Sequence, residues 1–97
     1  MDPAEIARAV AREMERLVDW QRRRVARKAQ ELLPGCTWED MMNPDGVPQL
    51  RGDPLFNYED GQLAGLLSAQ TALQACVVGP VLRGEPPGRP SLDLRDP

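Results

Sequence analysis

The chain holds ten prolines and eight glycines, yet none falls between Pro3 and Pro34. Proline and glycine are the residues that interrupt helices, so this gap constrains the fold more than any other feature. It leaves room for one helix of about 45 Å, at about 1.5 Å per residue. Asp2 stands where a cap belongs, Pro3 at the first helical position and Glu5 three residues after the cap. Pro34 and Gly35 end the helix. Ala7, Val10, Ala11, Met14, Val18, Val25, Ala29 and Leu32 recur by threes and fours on one stripe, flanked by Leu17 and Leu33. Gln21 falls inside that stripe, where a buried amide requires a partner.

From residue 34 to 57 the punctuation is dense, with prolines at 34, 44, 48 and 54 and glycines at 35, 46 and 52. Thr37, followed by Asp40, is placed to cap one helical turn through Trp38, Met41 and Met42. Asn43-Pro44-Asp45-Gly46 reads as a type I turn. Trp38, Met41, Met42, Leu50, Leu55 and Phe56 supply enough apolar surface for an ordered crossover lying against the helices.

A second helix is expected over about 58–78, with Glu59 and Asp60 in its first turn and Gly79-Pro80 at its end. No charged residue occurs from Gly61 to Leu82. Leu63, Leu66, Leu73 and Val77 form one face, with Leu67 beside it, and Gly61, Gly65, Ala69, Ala72 and Cys76 a neighbouring face of small residues. A helix without a charged side is expected to be buried nearly all round. A membrane span is the rival, opposed by Gln62, Gln70 and Gln74 and by the short apolar runs. The region 80–97, with five prolines and two glycines, reads as a disordered tail. Within it, Leu92, Leu94 and Pro87-x-x-Pro90 are weak docking signals.

The chemistry is sparse. There is no histidine, the commonest general base and metal ligand. Cys36 and Cys76, forty positions apart, match neither a disulfide framework nor zinc spacing and read as reduced and structural. The acidic pairs Glu39-Asp40 and Glu59-Asp60 are explained by the helix dipole, and a carboxylate metal or catalytic site joining them is a remote alternative. The start of the chain carries acids where a signal peptide carries basic residues, so a cytoplasmic location is expected. Arg51-Gly52-Asp53 reads as chance in such a setting.

Candidate binding residues sit on the first helix and the crossover. Stepping about 100° per residue from Val25, Arg12, Arg16, Arg23 and Arg27 fall within about 40° of the side opposite the stripe. Arg22 and Lys28 flank the core edges at about 60°, where their stems can cover apolar surface. Trp20 lies about 140° from the core centre, beside the arginine line. Pairing of these cations with Asp19, Glu15 and Glu31 along the helix is the plain reading, and docking of a partner the other.

These observations predict an all-α, two-helix hairpin over residues 1–79: a helix over about 3–33, a crossover over 34–57 and a helix over about 58–78. The hairpin is expected to assemble into a dimeric four-helix bundle. The function expected is that of a non-enzymatic, homo-oligomeric interaction or scaffold protein, without metal or cofactor. Gly61, Gly65, Ala69, Ala72, Leu66, Leu73 and Val77 are the expected oligomer interface. Trp20, Arg12, Arg16, Arg23, Arg27, Trp38 and Phe56 are the expected contacts to a further protein. Nucleic-acid association through the arginine line is the second reading, weakened by the net charge of −3 and the missing helix-turn-helix signal.

Overall fold

A computed structural model describes residues 1–88. The chain is all-α: two long helices, Pro3–Leu32 and Pro54–Leu82, are joined by a shorter proline- and glycine-rich region. The first is helix α1 (Pro3–Leu32). The joining region holds α2 (Trp38–Met42), a 3-10 turn at Pro44–Gly46 and α3 (Pro48–Arg51). The second long helix starts as α4 (Pro54–Leu73), passes a π-helical turn at Gln74–Val78 and finishes as α5 (Gly79–Leu82). Arg16–Leu67 forms one compact unit, and Met1–Glu15 with the described residues from Ser68 onward forms another.

Local chemistry accounts for most boundaries. Asp2 accepts the Glu5 backbone N–H at 2.9 Å, capping α1. That bond also holds the Asp2 carboxyl below the usual aspartate range. At the other end, Gly35 has φ +84°, a conformation glycine adopts without cost. Gln30 clamps this turn, accepting from the Gly35 N–H and donating to the Cys36 carbonyl. Thr37 and Asp40 form the expected capping box on α2.

The second long helix departs from expectation at both ends. It starts at Pro54 rather than near residue 58, because Asp53 caps it and Pro54 takes the first helical position. Glu59 and Asp60 therefore lie beyond the first turn. It also runs through Gly79-Pro80. Gly79 donates to the Gln74 carbonyl, five residues back, and this π-type shift absorbs the proline. The Cys76 carbonyl, which Pro80 has no N–H to reach, accepts from Gly88 at 2.8 Å instead. The helix stops in a Schellman motif: Gly84 has φ +78°, Glu85 N–H bonds to the Pro80 carbonyl and Gly84 N–H to that of Val81. The expected tail thus begins after Leu82, and residues 89–97, with Pro90, Leu92 and Leu94, lie outside the described residues.

In the Arg16–Leu67 unit the core gathers Val18, Val25, Ala29, Cys36, Met41, Leu50, Phe56 and Leu63. Leu32, Leu33, Val47, Leu66 and Leu67 pack around it. The crossover is ordered against the helices, as its apolar content predicts, although Leu55 projects outward. In the other unit Ala7, Val78 and Pro80 are buried. There Ile6 and Ala7 line a cavity of about 370 Å³ with Val77 and Val81.

Among the described residues, the expected enclosure of the second helix does not occur. Its most apolar 18-residue stretch is only 11 % buried. A single first helix can shield one side of its neighbour, and the crossover packs on that same core.

Candidate functional site

Three surfaces carry the residues singled out from the sequence. The first is built around Gln21. Its position in the apolar stripe buries it to 3 % exposure, and its Nε2 donates to the Glu59 carbonyl at 2.9 Å and to Glu59 Oε2 at 2.8 Å. Arg24, one turn on, reaches the same carboxylate with a fork, Nε to Oε2 at 3.0 Å and Nη2 to Oε1 at 3.1 Å. Hydrogen bonds from Arg24 and then Gln21 hold the Glu59 carboxyl below the usual glutamate range. The same bond raises the Arg24 guanidinium further above its already high value. The Arg24 guanidinium carbon also lies 4.9 Å from the centre of the Trp20 ring, a cation–π contact. A notch of about 170 Å³ opens beside it, lined by Arg24, Arg27, Lys28, Glu31 and Glu59.

The basic run is thereby divided. Arg22 pairs with Asp19 at 3.6 Å and Lys28 with Glu31 at 3.4 Å, both along the helix. Arg12, Arg16, Arg23 and Arg27 are exposed, as their helical positions predict. Arg16 belongs with Arg23 and Arg27 to the Arg16–Leu67 unit, whereas Arg12 belongs to the other. The Arg24–Glu59 fork has no signal in the sequence, because nothing in the spacing connects positions 24 and 59.

The second surface is a groove of about 360 Å³ between α1, α2 and α4. Val25, Met41, Leu63 and Leu67 line it, Trp38 and Met42 stand over it, and Arg22 and Asp60 add one charge of each sign. Trp38 is 48 % and Met42 69 % exposed. Phe56, expected with Trp38 as a partner contact, is instead at 0 % exposure in the core. The Asp53 cap starts α4 early and turns Phe56 inward, so it cannot touch a partner.

The third surface is the outer side of the second long helix. Gly61, Gly65, Ala69 and Ala72 are exposed, while Leu66, Leu73 and Val77 are half-buried. Among the described residues, a Cβ added at Gly61 or Gly65 would meet no atom beyond its own stretch of helix within 4 Å. By length and hydropathy, Pro54–Leu82 also suffices to cross a bilayer.

Catalytic or metal chemistry finds little support. Among the described residues no three of Cys, Asp and Glu gather as metal ligands. Asp40 is committed to its capping box and Glu59 to Arg24 and Gln21. Cys36 is buried, with its thiol pushed up chiefly by that burial and further by Asp40, and both cysteines are free. The chain matches no protein-family model, no curated protein and no solved structure. The fold and surfaces define a small all-α helical hairpin whose notable features are unpartnered faces.

Proposed function

We propose that this chain is a non-enzymatic interaction protein that works as a homo-oligomer, assembled through the outer face of its second long helix. One observation carries the reading: the helix is free of charge from Gly61 to Leu82, yet half of these residues are exposed and only Leu63, Val78 and Pro80 are buried. Glycine inside a helix costs about 0.5–1 kcal/mol relative to alanine. Among the described residues, nothing uses the space that Gly61 and Gly65 leave open. Close approach of a second helix backbone uses it and covers the neighbouring alanines, giving a four-helix arrangement of two hairpins. The polar groups of Gln62, Ser68, Thr71 and Gln74 along this exposed side favour a protein partner over lipid.

Light scattering coupled to gel filtration tests the reading. A dimeric or larger mass at micromolar concentration is expected, reduced to the monomer by Gly65→Leu, whose side chain blocks the approach. A well-folded wild-type monomer at that concentration sinks the proposal, as does partition of the wild-type chain into lipid vesicles in place of self-association.

A further inference from the structure

The charges of the Arg16–Leu67 unit are sorted along the sequence. Residues 16–28 hold six cations and one acid, whereas residues 36–60 hold six acids and one cation. The Arg24–Glu59 fork joins the two segments, and Arg22 and Lys28 find Asp19 and Glu31. Among the described residues, Arg23 and Arg27 form no ion pair, and neither do Glu39, Asp45 and Asp60. One chain thus carries surplus cations on α1 and surplus carboxylates on the crossover and α4.

Each surplus adjoins apolar surface of a matching kind. Beside Arg23 and Arg27 stands Trp20, 45 % exposed and steadied by its contact with Arg24. Glu39 and Asp45 directly follow Trp38 and Pro44 in the chain, and those two residues line the groove together with Met42, Asp60 and the Asp19-paired Arg22. Tryptophan and arginine are enriched at binding hot spots, and an apolar slot with carboxylates nearby is their electrostatic complement. The two surfaces cannot meet within one chain. Val25 lines the groove, whereas Trp20, Arg23 and Arg27 point about 140–160° away from Val25 around α1.

We propose that a second copy of this chain occupies the groove: Trp20 of one copy enters beside Trp38 and Met42 of the next, and its Arg23 and Arg27 meet Glu39, Asp45 and Asp60. The contact joins two different surfaces, so it is heterologous and leaves a free groove at one end and a free Trp20 at the other. It adds a head-to-tail link to the face-to-face assembly proposed above and does not depend on it. The two are separable because one is ionic and screened by salt, whereas the other contains no charge.

Sedimentation velocity of the full chain at about 50 mM and about 500 mM salt reads the difference, since the Debye length shortens severalfold across that range. A mass increment present at low salt and lost at high salt is expected. Arg23→Glu with Arg27→Glu, and separately Glu39→Lys with Asp45→Lys, should each weaken the salt-sensitive step by about tenfold or more. Each variant alone presents like charge on both surfaces, whereas the two variants complement each other, so mixing them one to one should regain the salt-sensitive increment that neither shows alone. Far-UV circular dichroism checks folding, and the single reversals Arg27→Glu and Glu39→Lys carry the test if a double variant loses helix. Equal masses at both salt concentrations overturn the proposal, as does an increment untouched by both reversals. An increment that vanishes on nuclease treatment also overturns it, assigning the arginines to nucleic acid instead. Loss of the salt-resistant mass alone overturns only the helix-face reading.

Discussion

Gln21 and Glu59 are joined twice, through Glu59's backbone carbonyl and through its carboxylate, by one amide nitrogen of Gln21 at 2.9 and 2.8 Å. A single buried donor therefore fixes both the backbone and the side chain of the facing helix. Gln21→Ala removes this donor and leaves the Glu59 carboxylate with Arg24 alone. The expected loss is about 1–3 kcal/mol, read as a lower urea midpoint with unchanged slope.

The same carboxylate makes stability depend on pH. Glu59 titrates lower in the folded chain than unfolded, chiefly through Arg24. Its contribution is fully present above the ordinary glutamate value of about 4.3 and is lost as pH falls through the lower folded value. Urea midpoints measured from pH 7 down to pH 3 should fall more steeply for the wild type than for Glu59→Gln. Parallel profiles would remove Glu59 from the acid response.

Phe56 tests the core. It is fully enclosed with Leu50 and Val25, joining the crossover to both long helices. Phe56→Ala should cost about 3–5 kcal/mol, much of the stability of a small domain at about 5–15 kcal/mol. Near-complete loss of cooperative thermal unfolding is the expected result.

Glycines on one helix should respond in opposite directions. A Cβ at Gly79 would sit 2.9 Å from the Gln74 carbonyl oxygen, a backbone atom that cannot step aside cheaply. Gly79→Ala should therefore lower the melting temperature. At Gly65 the space is open, and Gly65→Ala should raise intrinsic helix stability by about 0.5–1 kcal/mol. If that gain appears only in dilute, monomeric samples, the small-residue face is engaged when the protein assembles.

Much of this molecule is legible in its sequence. The absence of proline and glycine over 4–33 determines α1, and the Asp2, Thr37 and Gly35 signals place its ends and the capping box on α2. Those features act within four or five residues, where chain connectivity guarantees contact. The stripe of Val18, Val25 and Ala29 names the core side for the same reason. Pro54 and Pro80 were misleading because proline's effect depends on neighbours: Asp53 turns one into a helix start, and the π turn with Gly88 accommodates the other.

What tertiary structure decided lies across long separations. Gln21 announced the need for a partner, but only packing α4 against α1 selected Glu59 and brought Arg24 to the same carboxylate. The same packing buried Phe56, exposed Trp38 and separated Trp20 from the groove. Sequence periodicity gives each helix its faces. Which face meets which depends on how two rigid rods and a short crossover share one core, and that core is too small to cover the second helix.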